Sequence, residues 1–166
     1  GLAGGQGTGK STISNILKII LKEAYKLETV IFSIDDFYKT SNERKKISKK
    51  ISPLFLTRGV PGTHDTKMLL HCINNLKSNN FKRMIIPKFD KSIDDRCTKS
   101  KWIKVKKKPN IVIFEGWCVG ATAQKNKDLN IPVNKLEKQK DNKRIWRQKV
   151  NSELKKNYNK IFNLID

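Results

Sequence analysis

The chain has 166 residues, a formal charge of +21 from 36 basic and 15 acidic side chains, and 37% hydrophobic residues. No apolar run approaches the roughly 18 residues of a membrane span, no signal-peptide pattern opens the chain, and the apolar residues fall into periodic segments. These features argue against a membrane-spanning or disordered chain and for one folded domain, long enough to bury about two thirds of its unfolded surface. Only six of the basic residues are arginines (Arg44, Arg58, Arg83, Arg96, Arg144, Arg147). The lysine runs near Lys45, Lys49 and Lys106 lack the interleaved arginines and aromatics of specific nucleic-acid recognition, so weak, salt-sensitive binding is all the charge implies. Cys72, Cys97 and Cys118 show no C-x-x-C spacing and form no usual zinc site with His64 and His71, which suits free thiols in the cytoplasm.

In chain order, Gly4-Gly5-Gln6-Gly7-Thr8-Gly9-Lys10-Ser11 matches G-x-x-x-x-G-K-[ST] at every fixed position. Its glycines let backbone N–H groups turn inward into an anion-binding nest, with Lys10 placed for the β- and γ-phosphates and the Ser11 hydroxyl for Mg²⁺. Gly4, Gly5, Gln6, Gly7, Thr8, Gly9, Lys10, Ser11 and Thr12 are therefore the phosphate-binding candidates. Such a loop follows a buried strand, and Gly1-Leu2-Ala3 is too short for one, so the first strand is expected to be missing. Ile13, Ile16, Leu17, Ile20, Leu21 and Ala24 form the stripe of a helix packed on a sheet and ending near Leu27.

Thr29 to Ile34 reads as a strand buried on both faces and stops at Asp35-Asp36. Residues 39–52 read as a mobile loop or short polar helix. Arg58 to Thr63 is loop chemistry, after which Thr63 or Asp65 caps a helix running to about Leu76. Met84-Ile85-Ile86 and Trp102 to Val105 read as short strands, the second an edge strand. Ile111 to Phe114 is the second buried strand, ending in Glu115-Gly116. Residues 120–145 are a possible lid or connection. A long helix follows Asp141, with Trp146, Val150, Leu154, Tyr158, Phe162 and Ile165 as its stripe and Arg144 and Arg147 off it.

The strand and helix alternation predicts an α/β, three-layer phosphate-loop fold with a mostly parallel sheet, incomplete at both termini. In such sheets the residues just beyond the strand ends converge on the ligand. Here those are the phosphate loop, Asp35-Asp36 and Glu115. Carboxylates facing a bound Mg-nucleotide suit phosphoryl transfer, one taking the proton of an attacking hydroxyl and another holding the metal or its waters.

Ser33-Ile34-Asp35-Asp36-Phe37-Tyr38, Arg58 to Asp65, Pro87-Lys88-Phe89-Asp90-Lys91-Ser92 and Val112 to Trp117 resemble the successive signatures of the D-glycerate 3-kinase family. Pro132 to Glu137 with Trp146-Arg147 and Val150-Asn151 is similar to its bacterial branch. The likeness runs through nearly the whole chain and extends to uridine kinase, phosphoribulokinase and pantothenate kinase.

The resemblance implies Asp35 as general base, Glu115 as organiser of Mg²⁺ through water, and ATP as donor, with Lys10 completing the catalytic set. It implies an acceptor pocket from Asp36, Tyr38, Arg58, His64, Asp65, Asp90, Lys91 and Arg96. Arg96, Arg144 and Arg147 are alternative candidates for steadying phosphates or an acceptor carboxylate, an anion that a guanidinium fork suits. Phe89 stands where the family usually shows Tyr, and Asn110 replaces a frequent Asp. The chain stops at Asp166, before segments that in such kinases complete the sheet and hold the adenine.

The resulting expectation is an ATP- and Mg²⁺-dependent cytoplasmic kinase of a small hydroxy acid, most simply D-glycerate. The alternatives are a sibling kinase of a nucleoside or pantothenate, and a basic phosphate-loop NTPase that binds nucleic acid. No membrane partner is expected.

Overall fold

The computed structural model describes residues 1–166. In chain order its elements are β1 (Leu2–Ala3), α1 (Lys10–Tyr25), β2 (Thr29–Ser33), α2 (Ser41–Lys50), α3 (Thr66–Lys77), β3 (Met84–Ile86), β4 (Phe89–Asp90), β5 (Asp95–Arg96), β6 (Ile103–Val105), β7 (Ile111–Gly116), α4 (Lys135–Lys140), α5 (Ile145–Glu153) and α6 (Asn159–Phe162). The central sheet is parallel, in the order β1-β7-β2. Two antiparallel ribbons, β3 with β6 and β4 with β5, stand beside it. No helix is long and apolar enough to cross a membrane.

The β-branched and aromatic runs form the sheet because alternate residues find cover on each face. Val30, Phe32, Val112 and Phe114 share one face and pack with Leu69, Cys72, Ile73 and Leu76 of α3 and with Tyr158 and Ile161. The opposite face carries Ile113 and Glu115, and Ser11 of α1 hydrogen-bonds Glu115 there, so α1, the sheet and α3 with the terminal helix make three layers. Asn110 fastens β2 to β7: its side-chain oxygen accepts from Glu28 N at 2.9 Å and its own N–H donates to Glu28 O.

Several expectations are corrected. Leu2 and Ala3 do pair, opposite Glu115 and Gly116, so the phosphate loop leaves a two-residue strand. β2 pairs in parallel with β7 as expected, but it is an edge strand and its burial is partial, with Thr29 and Phe32 buried and Val30, Ile31 and Ser33 half-buried. The predicted stripe of α1 is left largely in solvent, with Ile16 51% and Ile20 47% exposed and Ser14 the helix's one buried residue. The sheet is three strands wide and reaches only one flank of that helix.

Residues 39–52 do form a polar helix, capped by Thr40 and Glu43 in a reciprocal box. Asp65, and not Thr63, caps α3 through Met68 N. The β4–β5 ribbon was not predicted, since two-residue strands carry no period.

The helix after Asp141 runs through α5 and α6 with a π-helical turn over Leu154–Tyr158 between them. A π turn inserts one residue into the helical register. Beyond it Ile161 is fully buried with Tyr158 while Phe162 packs on the edge of the core, and before it Arg147 is buried as well.

β7 ends against the 3₁₀ turn Ile34–Phe37 at Gly116, where an added Cβ would lie 2.4 Å from Ile34 Cγ2. Gly116→Ala is expected to lower stability by about 1–3 kcal/mol. Urea unfolding would register this as a lower midpoint, and an unchanged midpoint would show that the contact yields freely.

Candidate active site

The phosphate loop is built as its glycines require. Gly7 and Gly9 take φ of +76° and +80°, a region that disfavours side chains, and Gly9 opens α1 without any side-chain cap. The first N–H groups of a 16-residue helix are thus left for an anion, with the dipole behind them. Thr8 Oγ1 and Lys10 Nζ both donate to Gly5 O, at 2.9 and 2.6 Å, which folds the lysine over the nest. Ser11 and Thr12 lie exposed on the first turn of α1.

Ser11 Oγ donates to Glu115 Oε1 at 2.8 Å, while Glu115 Oε2 is buried without a hydrogen-bond partner. A hydroxyl beside a buried carboxylate with one oxygen to spare suits a divalent cation and its waters at the mouth of the nest. Across the same cleft, of about 590 Å³, stands Asp35. Gln6, Gly7, Lys10, Ser11, Arg58, Lys91 and Glu115 line it too. Asp35 Oδ2 pairs with Lys91 Nζ at 2.7 Å and Oδ1 is buried without a partner. Phosphate nest, metal-suited carboxylate and candidate base therefore face one space.

The phosphoribulokinase/uridine kinase family model matches residues 1–152. The chain belongs to that family. It is 40% identical over 128 residues to the uncharacterized kinase mug58 of Schizosaccharomyces pombe, covering 72% of this chain and 46% of that protein. To the chloroplastic D-glycerate 3-kinase of Arabidopsis thaliana it is 33% identical over 129 residues, covering 72% of this chain and 28% of the other. A solved D-glycerate 3-kinase from Cryptococcus neoformans superimposes with a TM-score of 0.78 at 30% identity, over 94% of this chain and 58% of that one. The chain thus spans less than half the length of these two curated relatives.

Not every residue expected at this kinase-family site reaches the cleft as a free group. Asp36 is 4% exposed and turned inward, accepting from Ser33 N and Phe89 N and pairing with Lys88 at 3.1 Å. Asp65 caps α3 and holds Arg96 at 3.1 Å, and Arg96 also donates to Tyr38 O. Arg58 lines the cleft while paired to Asp94, which also takes Arg44 at 2.5 Å. Both guanidinium groups lie over the Phe89 ring, 5.6 and 5.8 Å from its centroid, so where the family has tyrosine this ring offers a cation–π face and no hydroxyl. Asp90 shapes the turn tip by accepting from Ser92 N and Oγ.

His64 is fully buried rather than pocket-lining. It stacks on Tyr38, with centroids 4.3 Å apart, and its Nδ1 lies 2.6 Å from the Tyr158 hydroxyl. That hydroxyl also accepts from Gly62 N, while His64 Nε2 is buried without a hydrogen-bond partner. Burial foremost, with the Asp35 charge next, drives the Tyr38 hydroxyl far above its ordinary pKa.

Arg144 and Arg147 do not line the cleft. Arg147 is 6% exposed and pairs with Asp141, donating also to Leu129 O, and Arg144 donates to Asn130. Both tie the 126–151 segment together. Lysines 104 and 106–108 line a groove of about 800 Å³ beside β2 that holds no arginine and one aromatic ring, Phe32.

Residues that sequence reasoning missed are Lys88, Trp117, Arg44 and Tyr158. Lys88 and Trp117 line the cleft and lay inside segments already singled out. Arg44 is wholly buried in a helix whose composition is otherwise that of a solvated surface, and nothing in its spacing announces this.

Burial, opposed only in part by the Asp35 charge, lowers the His64 pKa from 6.5 to about 3. The unfolded chain therefore binds one more proton at this site between those values, and stability falls as pH drops through that window. From pH 6.5 to 5 the loss from His64 comes to about 2 kcal/mol. Urea midpoints should fall more steeply from pH 7 to pH 5 for the wild type than for His64→Gln, and equal slopes would show that the ring takes up its proton in the folded state.

Proposed function

We propose that this chain carries the donor and acceptor sites of an ATP- and Mg²⁺-dependent kinase that phosphorylates D-glycerate to 3-phosphoglycerate. One observation carries the reading: Lys10 on the phosphate nest, Glu115 beside Ser11, and Asp35 line a single cleft. The likeness to D-glycerate 3-kinases in sequence and in fold supports the choice of acceptor.

In this reading the nest and the N-terminus of α1 hold the β- and γ-phosphates of ATP, and Lys10 leaves Gly5 O to meet them. Asp35 takes the proton of the acceptor hydroxyl as its oxygen attacks the γ-phosphorus. The bond from that phosphorus to the bridging oxygen breaks, and ADP departs with the electron pair. Ser11 and Glu115 would hold Mg²⁺, which when bound neutralises charge on the phosphate oxygens. Arg58 and Lys91 give the acceptor side its positive charge, as an anionic acceptor requires.

The test is phosphorylation by the full-length protein of D-glycerate, uridine and pantothenate in parallel, with the product identified by NMR. D-Glycerate should be the acceptor used, and turnover confined to uridine or pantothenate would overturn the choice. Asp35→Asn is expected to reduce kcat by about 10²- to 10⁴-fold with nucleotide binding retained. Lys10→Ala should weaken both, as nucleotide titration would read directly.

A further inference from the structure

The cations around the cleft differ in what holds them. Arg58 is tied to Asp94, Lys88 to Asp36, and Lys10 to Gly5 O on the donor side. Lys91 has Asp35 as its partner, at 2.7 Å, and no second ion pair or hydrogen bond. Its side chain is 59% exposed, at the tip of the β4–β5 ribbon. The turn that carries Lys91 is itself held by Arg44 and Arg58 on Asp94, and the other end of the ribbon by Arg96 on Asp65, so the tip is anchored while the lysine is not. An exposed ion pair of this kind contributes at most about 1 kcal/mol, and its cation is easily surrendered to a better anion.

The geometry points to Lys91 as an exchangeable guard on Asp35, one that also reads the acceptor's carboxylate. This rests on Asp35 being the base. Without acceptor, the ammonium group occupies Asp35 Oδ2, and a water in the acceptor's place meets a carboxylate that is already paired. When a hydroxy acid enters, its carboxylate draws the ammonium away, and Asp35 is released to take the hydroxyl proton. Asp35 Oδ1 is buried, so Oδ2, the oxygen that Lys91 covers, is the one a water or an acceptor hydroxyl can reach. The exchange couples activation of the base to arrival of the correct anion and suppresses hydrolysis of ATP by water, in which the γ-phosphoryl would pass to water to give ADP and phosphate.

The same geometry limits acceptor length. The attacking hydroxyl must come within about 3 Å of Asp35. The acceptor carboxylate must reach an ammonium group that starts 2.7 Å from that same side chain. Hydroxyl and carboxylate therefore belong to one short acid, of roughly three or four carbons at the extended reach per atom of a carbon chain. A nucleoside has no anion for Lys91, and a long acid carries its carboxylate beyond reach.

The experiment uses the full-length protein with ATP and Mg²⁺, comparing wild type, Lys91→Met and Lys91→Arg on D-glycerate, on glycerol, and without acceptor. Glycerol keeps the hydroxyls and lacks the carboxylate. Lys91→Met should reduce the preference for glycerate over glycerol in kcat/KM by about 10- to 100-fold, the worth of a charged hydrogen bond, mainly through KM for glycerate. KM for ATP and the thermal midpoint should stay as in wild type. Acceptor-free ADP release should rise several-fold in Lys91→Met, fall again when Asp35→Asn is added, and stay low in Lys91→Arg.

An unchanged preference, or a lost preference with no rise in acceptor-free ADP release, overturns the inference. If the wild type phosphorylates no short hydroxy acid, the acceptor assignment fails separately. Acceptor-free ADP release then decides the guard on its own: a rise in Lys91→Met that depends on Asp35 upholds it, and no rise overturns it.

Discussion

Parallel pairing of β7 with a strand on each side is the constraint on which the site depends. Leu2 and Ser33 both lie opposite Glu115, so the chain leaves β1 and β2 level with the end of β7. Parallel register sends all three exits to the same edge of the sheet. The phosphate loop, the Asp35 turn and Glu115 are neighbours for that reason, although more than a hundred residues separate Ser11 from its hydrogen-bond partner. A one-residue slip of β2 against β7 would turn Phe32 out of the core and carry Asp35 to another level, so burial of Phe32 and Phe114 also sets the spacing of the chemistry.

The glycine-rich turn into α1 was legible because its requirements are local. A nest needs glycines in order, a lysine and a hydroxyl, and these are contiguous from Gly4 to Ser11. The core strands were legible as continuous apolar runs, and Asp35 and Glu115 as the acids that end them. The opposite wall of the cleft was less so, because whether Asp36, Asp65 or Arg96 faces the cleft or braces its wall depends on rotamers and on contacts across the fold. Asp36 braces, through Ser33 N, Phe89 N and Lys88, and its neighbour Asp35 does not. Two adjacent aspartates in a short 3₁₀ turn point in different directions, and no pattern of types distinguishes them. The stripe of α1 was read correctly as helical, but periodicity cannot say what covers it.

The wall of the acceptor side is polar in its interior. Arg44, His64 and Asp36 are all nearly or wholly buried, Arg44 and Asp36 held by several polar partners and the His64 ring by the Tyr158 hydroxyl and its stack on Tyr38. Such networks contribute little net stability over an apolar filling, yet removing one member strands the others at a cost of about 3–5 kcal/mol. They also fix direction where apolar packing would not. Tyr38, stacked on His64 and paired with it through the backbone, carries the end of the Asp35 turn, and Arg96 holds its carbonyl. The Asp35 carboxylate is thus presented from a frame whose own polar groups are mostly committed elsewhere.

The π turn between α5 and α6 ties that frame to the far end of the chain. Because Leu154–Tyr158 holds an extra residue, the Tyr158 hydroxyl meets His64 and Gly62 while Ile161 meets α3. Deleting one residue from this turn would give a more regular helix and remove a local irregularity. It would also rotate everything beyond by about 100°. The irregular turn acts as a phase adjuster: its slightly poorer helix keeps two otherwise incompatible registers, that of the 126–151 segment and that of the core, on one continuous rod.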